Sequence, residues 1–361
     1  MKILMSTVAW TCLAMAMGGP ALAADAADAG ARLDEVVVTA TKTETEIQKT
    51  PIAISVVSAT AMADRHAESL LSLQDGAIPS LRVATFEARQ SALTIGIRGI
   101  VPFDANQTAR DQGVGVYIDG VYLGRQQGLN AALFDLERIE VLRGPQGTLF
   151  GRNTEGGALN IVTKAPTGMF GGRITAGAGN YGAYNFELHQ DFQEFSNISV
   201  KADVLIQHQG PTTRNPANGQ AGWNQYDRKG GRISALFKPT DAFSADISAD
   251  YAEDDNTPFF SQLVSFNPYG KRVRTLAEVQ AGPANAPNGT INPLASLVKV
   301  RTSRQSVSDI GTIQQPSVDK TGGLSAALKY EVSPDLELRS ITAARAVGTN
   351  QWDNSGVESR V

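Results

Sequence analysis

Several stretches of this sequence carry residue types at spacings that chemistry uses. Gly177, Gly179 and Gly182 fall in the order G-x-G-x-x-G, which in a strand–turn–helix unit lets the backbone approach a pyrophosphate at a helix N-terminus. Here Tyr184, Phe186 and Leu188 follow at strand spacing, so the run reads as a turn between strands. GTLFGRNTEGG (147–157) has the glycine content of a phosphate loop, but G-x-x-x-x-G-K-[ST] is absent and no lysine is placed for a β-phosphate. Ser296 with Lys299, and Lys320-Thr321-Gly322, match two boxes of the serine β-lactamases. The third box fails at Ile310, and all of them fall in one loop with no buried helix to carry a nucleophile. His66, His189 and His208 are too far apart for ligand spacing. Glu253-Asp254-Asp255-Asn256 could offer oxygen atoms to Ca²⁺, yet reads as the solvated start of a loop. No catalytic constellation, metal site or cofactor is indicated, and the chain does not read as an enzyme.

The elements that position these residues fall into three textures. Lys2, the apolar run Ile3 to Met17 and Ala21-Leu22-Ala23 form a basic n-region, an h-region too short for a membrane helix, and a cleavage site, so residues 1–23 read as a signal peptide for Sec export. The single cysteine, Cys12, leaves with it and has no lipobox setting, so the mature chain has no thiol for a disulfide. The mature chain carries 31 basic and 36 acidic residues, a net charge of −5, which offers no basic patch for nucleic acid. Residues 24–49 read as a flexible tail and 50–165 as a glycine-rich mixed domain. Within that domain, 51–58, 93–98, 136–142 and 158–163 read as strands, and 59–75 as short helical pieces closed by Gly76. Val114 to Leu123 reads as a hairpin about Asp119-Gly120.

From residue 166 the period changes to two. Phe243, Ala245, Ile247, Ala249 and Tyr251 share one face, with Ser244, Asp246, Ser248 and Asp250 on the other. Ile198, Val200, Ala202, Val204 and Ile206 do the same against Ser199, Lys201, Asp203 and Gln207. Strands are expected near 172–179, 183–192, 198–208, 230–238, 243–252, 322–332 and 336–346, joined by short links that alternate with the long ones 209–229 and 253–321. Short turns at one end and long loops at the other are the pattern of an outer-membrane barrel; in a compact soluble domain so long a loop would be anomalous. No apolar stretch after the signal reaches the ~20 residues of a membrane helix, so strands must make any span.

LDEVVVTATK (33–42), IRG (97–99), VGVYIDGVYL (114–123) and, with the most specificity, LERIEVLRGPQGTLFGRNTEGGALNIVTKAP (136–166) resemble the TonB-dependent outer-membrane receptors. The resemblance implies an α+β plug domain, here 50–165, followed by antiparallel transmembrane β-barrel strands, here an incomplete set of about seven over 166–361. These form the N-terminal portion of a 22-stranded barrel. It implies that Asp34, Glu35, Val36, Val37, Val38, Thr39 and Ala40 are the TonB box, an extended segment left free so that it can add as a strand to TonB. Arg138, Glu140, Arg143 and Arg152 would anchor the plug to charges on the barrel's inner face, and Gly144, Pro145, Gly147, Gly151, Gly156 and Gly157 would make its sharp turns. The loop bearing Phe103, Asp104, Asn106, Gln107 and Arg110 would face the substrate.

The implied function is import across the Gram-negative outer membrane of a scarce solute, a ferric siderophore above all. The implied partners are TonB of the inner-membrane complex, outer-membrane lipid and the barrel assembly machinery. A TonB-binding plug or signalling module without transport is the alternative, disfavoured because only Ala24 to Leu33 precedes the TonB box. The 196 residues after 165 suffice for about seven strands, so the chain is expected to be the N-terminal part of a longer receptor.

Overall fold

Glycine and proline cut residues 50 to 165 into short pieces, and the apolar pieces among them pair into sheets. The computed structural model describes residues 37–40, 42–43, 45–67, 69–86, 89–101, 111–130, 134–265, 300–309 and 311–352. The expected signal peptide, Asp34, Glu35 and Val36 of the TonB box, and the apical set Phe103, Asp104, Asn106, Gln107 and Arg110 lie outside the described residues.

The described residues open with β1 (Val37–Val38) paired antiparallel to β2 (Thr45–Glu46). The plug then lays down β3 (Ile54–Ser58), α1 (Ala59–Asp64), β4 (Leu81–Phe86), β5 (Arg89–Ile97), β6 (Val114–Ile118), β7 (Val121–Tyr122), β8 (Leu136–Arg143), α2 (Gly147–Phe150) and β9 (Gly157–Thr163). Ser58 caps α1, its hydroxyl accepting from Ala61 N at 3.2 Å. A 3₁₀ turn, Leu70–Asp75, ends at Gly76 with φ 78°. The central sheet runs β3-β8-β9-β6-β7, parallel only between β6 and β9, and β4 pairs with β5 separately. Asp119 and Gly120 have φ of 48° and 82°, the two positive values that a two-residue hairpin of this twist requires. The core joins Leu70, Leu73, Leu93, Ile95, Ile97, Val116, Ile139, Val141, Leu159 and Ile161.

The remaining strands form one seven-stranded antiparallel meander: β10 (Gly171–Ala178), β11 (Tyr184–Asp191), β12 (Ile198–Gln209), β13 (Tyr226–Thr240), β14 (Phe243–Asn256), β15 (Ser317–Ser333) and β16 (Leu336–Asn350). The expected number and order stand, and β13 to β16 are longer than expected at their loop ends. Polarity is inverted relative to a water-soluble sheet. Facing the plug, Ser199, Lys201, Asp203, Gln207, Arg228, Arg232, Ser234 and Ser248 are buried, whereas Ile174, Ile206, Ile233, Ile247, Leu324 and Leu338 are exposed on the outer side. That arrangement suits hydrocarbon outside and a polar lumen within. Aromatic rings edge the apolar band: Phe192, Phe195, Phe237, Phe243 and Tyr330 sit near the short turns, and Tyr181, Tyr184 and Tyr251 toward the opposite ends. No helix among the described residues is long and apolar enough to cross a membrane.

The two long links meet beyond the strands. Arg214 bridges to Val307 in parallel, Asn215 Nδ2 donates to Thr312 O at 2.8 Å, and Gln314 Nε2 donates to Gly222 O at 2.7 Å. Trp223 is buried at their junction, edge-on to Phe260.

Candidate functional site, the contacts of the tail and the barrel wall with the plug

The tail was expected to hang free, but from Val37 onward it is docked. Val38 and Ala40 are fully buried against Tyr117, Leu142, Phe150 and Ala158. Between them, Thr39 N donates to Glu140 Oε1 at 2.9 Å, and Thr39 Oγ1 lies 3.2 Å from both oxygens of that carboxylate. Asn160 Nδ2 reaches Thr39 Oγ1 at 3.0 Å and Glu140 Oε2 at 3.1 Å. Glu140 can do this because β8 sits between β3 and β9, which places it opposite Asn160 and leaves it fully buried. The Lys42 ammonium covers the Phe150 ring at 3.9 Å, where burial lowers its pKa. Burial, with Tyr122 adding to it, pushes the Tyr117 hydroxyl up to about 12, and that hydroxyl donates to Phe150 O at 2.6 Å.

The anchoring set must be corrected. Arg138, Glu140, Arg143 and Arg152 bond within the plug: Arg138 Nε to Glu140 Oε1 at 2.8 Å and its Nη1 to Glu137, Arg143 Nη2 to Ile54 O at 3.5 Å, and Arg152 to Asp111 at 3.3 Å. The ion pairs that cross to the wall run with opposite polarity, plug acid to barrel base. Lys201 Nζ donates to Asp135 Oδ2 at 2.6 Å and Arg173 Nη2 to Asp135 Oδ1 at 3.0 Å, where Lys164 Nζ of the plug itself joins at 3.0 Å. Burial pushes the Asp135 pKa upward, but the bonds from Lys201 and Lys164 outweigh it and hold the carboxyl down at about 2. Higher up, Arg232 Nη2 donates to Asp119 Oδ2 at 2.7 Å, while Thr163 N donates to Asp119 Oδ1 at 2.9 Å. The hairpin turn that shapes β6–β7 therefore also ties the plug to β13.

Sequence reasoning favoured the arginines of the long motif and passed over Asp119 and Asp135. The usable signal was the period-two pattern, which put Lys201 on the lumen face and so called for an acid on the plug. His189 is likewise corrected. Its Nδ1 lies 2.9 Å from Asp203, and Asp135, His189 and Asp203 offer ligand atoms within 4.8 Å of one another. Spacing along the chain could not reveal a cluster assembled across strands. Lys201 Nζ, 2.6 Å from Asp135 and 3.7 Å from Asp203, already supplies the cation there, which disfavours a metal.

The glycine turns behave as a packing argument requires at two positions. Gly157 has φ 147°, and a Cβ there would sit 2.0 Å from Leu142 O. Gly144, at φ 103°, is followed by Pro145 in the turn that sends Gln146 N to Thr154 O at 3.0 Å. Gly147, Gly151 and Gly156 lie in the same run, Gly151 also with a positive φ of 84°. Between plug and wall lies a cavity of about 510 Å³ lined by Tyr122, Arg125, Leu129, Phe134, Asp250 and Arg345. The Arg345 guanidinium is held there by both Asp250 oxygens at 2.7 Å.

Residues 46–158 match the model of the TonB-dependent receptor plug domain. The pesticin receptor of Yersinia pestis is 31% identical over 212 residues, which is 57% of this chain and 30% of that protein. The ferrichrome outer membrane transporter and phage receptor of Escherichia coli is 30% identical over 66% of this chain and 31% of its own length. In fold, the chain is similar to the ferric yersiniabactin uptake receptor of Y. pestis, with a TM-score of 0.63 at 22% identity over 81% of this chain and 40% of that one. It is similar also to a siderophore receptor of Acinetobacter baumannii, with a TM-score of 0.63 at 16% identity over 88% and 39%. The chain spans about a third of the length of the curated relatives it matches. A plug that matches the family model, bonded through its acids to the polar face of a meander that is apolar outside, belongs to the TonB-dependent outer-membrane receptors.

Proposed function

We propose that this chain supplies the plug and first wall strands of a receptor in the Gram-negative outer membrane that imports a scarce solute, of the ferric siderophore class, on energy delivered by TonB. The observation that carries the reading is the inverted sheet meeting the plug through ions: Asp119 and Asp135 on the plug bond Arg232 and Lys201 on a lumen face whose reverse side is exposed Ile, Leu and Tyr. A plug held by directional ionic contacts can be loosened by a pull, whereas a continuous apolar seal would have to be melted. The relatives named for yersiniabactin, ferrichrome and siderophore uptake support the substrate class.

Residues 34–40 are the proposed handle. Their β-branched run favours an extended strand that can pair with a partner's sheet edge, and Thr39 must leave Glu140 before it does. The leader-like residues 1–23 and the apolar outer face of the meander support export through the Sec pathway and insertion by the barrel assembly machinery as parts of the same reading. The test is capture of the chain from outer-membrane extracts on the immobilised periplasmic domain of TonB. Deleting residues 34–40 should abolish capture, and retained capture would refute the handle. Recovery of the mature chain as a freely dissolved periplasmic protein would refute the membrane reading.

A further inference from the structure

We propose that Asp254, set against the facing carboxylate of Asp319, takes up a proton, and that this makes the contact of β5 with the outer end of the wall a proton-dependent joint. The two residues face each other in register across β14 and β15, and both are fully buried. Like charges directly opposed on a sheet repel, and burial removes the water that would screen them. Across β13 and β14, Arg228 stands opposite Asp254, so the row holds one cation and two acids. Arg228 Nε lies 3.3 Å from Asp254 Oδ1, near enough for an ion pair but without hydrogen-bond geometry. Both oxygens of Asp254 and Oδ1 of Asp319 accept no hydrogen bond among the described residues. A single proton taken from solvent removes the excess charge and supplies the missing donor.

Among the described residues, the surroundings add no second cation to this row. From the plug, the Ser91 hydroxyl donates to Asp319 Oδ2, and Gln90 Oε1 accepts from Arg228 Nη2 at 3.5 Å. Gln90 Nε2 continues to Thr257 O at 2.8 Å, and Arg89 directs Nη1 to Gln351 Oε1 at 2.9 Å. On β14 itself, Asn256 Nδ2 is turned to the backbone oxygen of Asp254 at 3.4 Å. The row lies outside the hydrocarbon, because the next residues down each strand, Lys229, Glu253 and Lys320, are charged and point away from the plug. Burial, reinforced by Asp319 and opposed by Arg228, pushes the Asp254 carboxyl up to about 6. A carboxyl raised in the folded state stabilises it fully below its ordinary pKa, and that contribution is lost as pH rises through the folded value. The joint therefore tightens as pH falls from 8 to 5, independently of what the receptor carries.

The experiment uses the full chain in lipid vesicles. An infrared difference spectrum between pH 5 and pH 8 should show a protonated carboxyl band that is absent from Asp254→Asn and from Asp319→Asn. Amide exchange at Gln90 and Ser91, corrected for intrinsic chemistry, should be slower at pH 5 than at pH 8 by about tenfold, as one pKa unit of linkage implies. In Asp319→Asn, which removes the opposed charge and offers Asp254 an amide donor, that dependence should vanish. The proposal is overturned if wild type has no such band, if the exchange ratio persists in both variants, or if millimolar Ca²⁺ at pH 8 restores protection as acid does.

Discussion

Glu140 is the residue on which tail, strand and neighbouring cation converge. It has no exposed surface, yet its carboxylate is supplied with donors by Arg138, Asn160 and Thr39. Glu140→Gln removes the charge that holds the Thr39 amide while nearly keeping the shape. A buried group left with fewer charge-assisted bonds loses about 1–3 kcal/mol, so the plug should unfold at lower urea. A cysteine placed at Val37 should also react faster with a polar maleimide. Labelling unchanged by Glu140→Gln would mean that Val38 and Ala40 alone keep the tail docked. Gly157 makes the opposite kind of prediction. Gly157→Ala would drive a Cβ against Leu142 O, 2.0 Å away, at φ 147°, and strain with overpacking of this kind costs about 3 kcal/mol or more. A melt of the full chain should show the plug transition lowered by ten degrees or so on that scale.

At the scale of elements, the wall and the plug meet through a few strand ends and one hairpin turn. Lys201 is almost completely buried, so Asp135→Asn strips its closest counter-ion and should cost about 3–5 kcal/mol of plug docking. The double variant with Lys201→Met should recover part of that loss, a non-additivity that a double-mutant cycle on plug protease resistance would read. Asp135 is also the acid limit of this contact. Its carboxyl is depressed from 3.8 to about 2, so its contribution is complete above pH 4 and disappears as pH falls from 4 to 2. Asp135→Asn should abolish that step in pH-dependent proteolysis.

The same elements mark what was legible beforehand. The meander was, because Ile233, Ile247 and Leu324 alternate with Arg232, Ser248 and Ser325 and one slipped residue would turn every side chain over. The early start of β13 at Tyr226 and of β15 at Ser317 was not. Those ends stand outside the bilayer, where Asp227, Arg228, Asp319 and Lys320 can occupy a strand without an apolar partner face. The docking partners were hidden for a related reason: Asp119 and Asp135 pair with strands far along the chain, and only the folded geometry selects them.

The whole molecule is a sheet turned inside out around a small domain with an ordinary apolar core, and this is a statement about solvent. Ile247 lies on the outer face, four residues from Phe243 and four from Tyr251 along β14, and is half exposed. Ser248, its neighbour, faces the plug and bonds Ser325 at 2.8 Å. In water, an exposed isoleucine replaced by arginine changes stability by no more than about half a kcal/mol. At the middle of a bilayer the same change costs about 2–4 kcal/mol. Folding yields of Ile247→Arg in lipid vesicles should therefore fall well below wild type, with the loss easing in thinner bilayers where a snorkelling side chain reaches headgroups. Moving the arginine along β14 to Asp255, beyond Tyr251, should remove the penalty, because Asp227 stands directly opposite and Glu253 two residues away, both able to pair with it. The measurement is the urea midpoint of vesicle-inserted chain for the two positions. Equal midpoints at 247 and 255 would mean that the outer face meets water throughout, which would undo the barrel assignment while leaving the plug untouched.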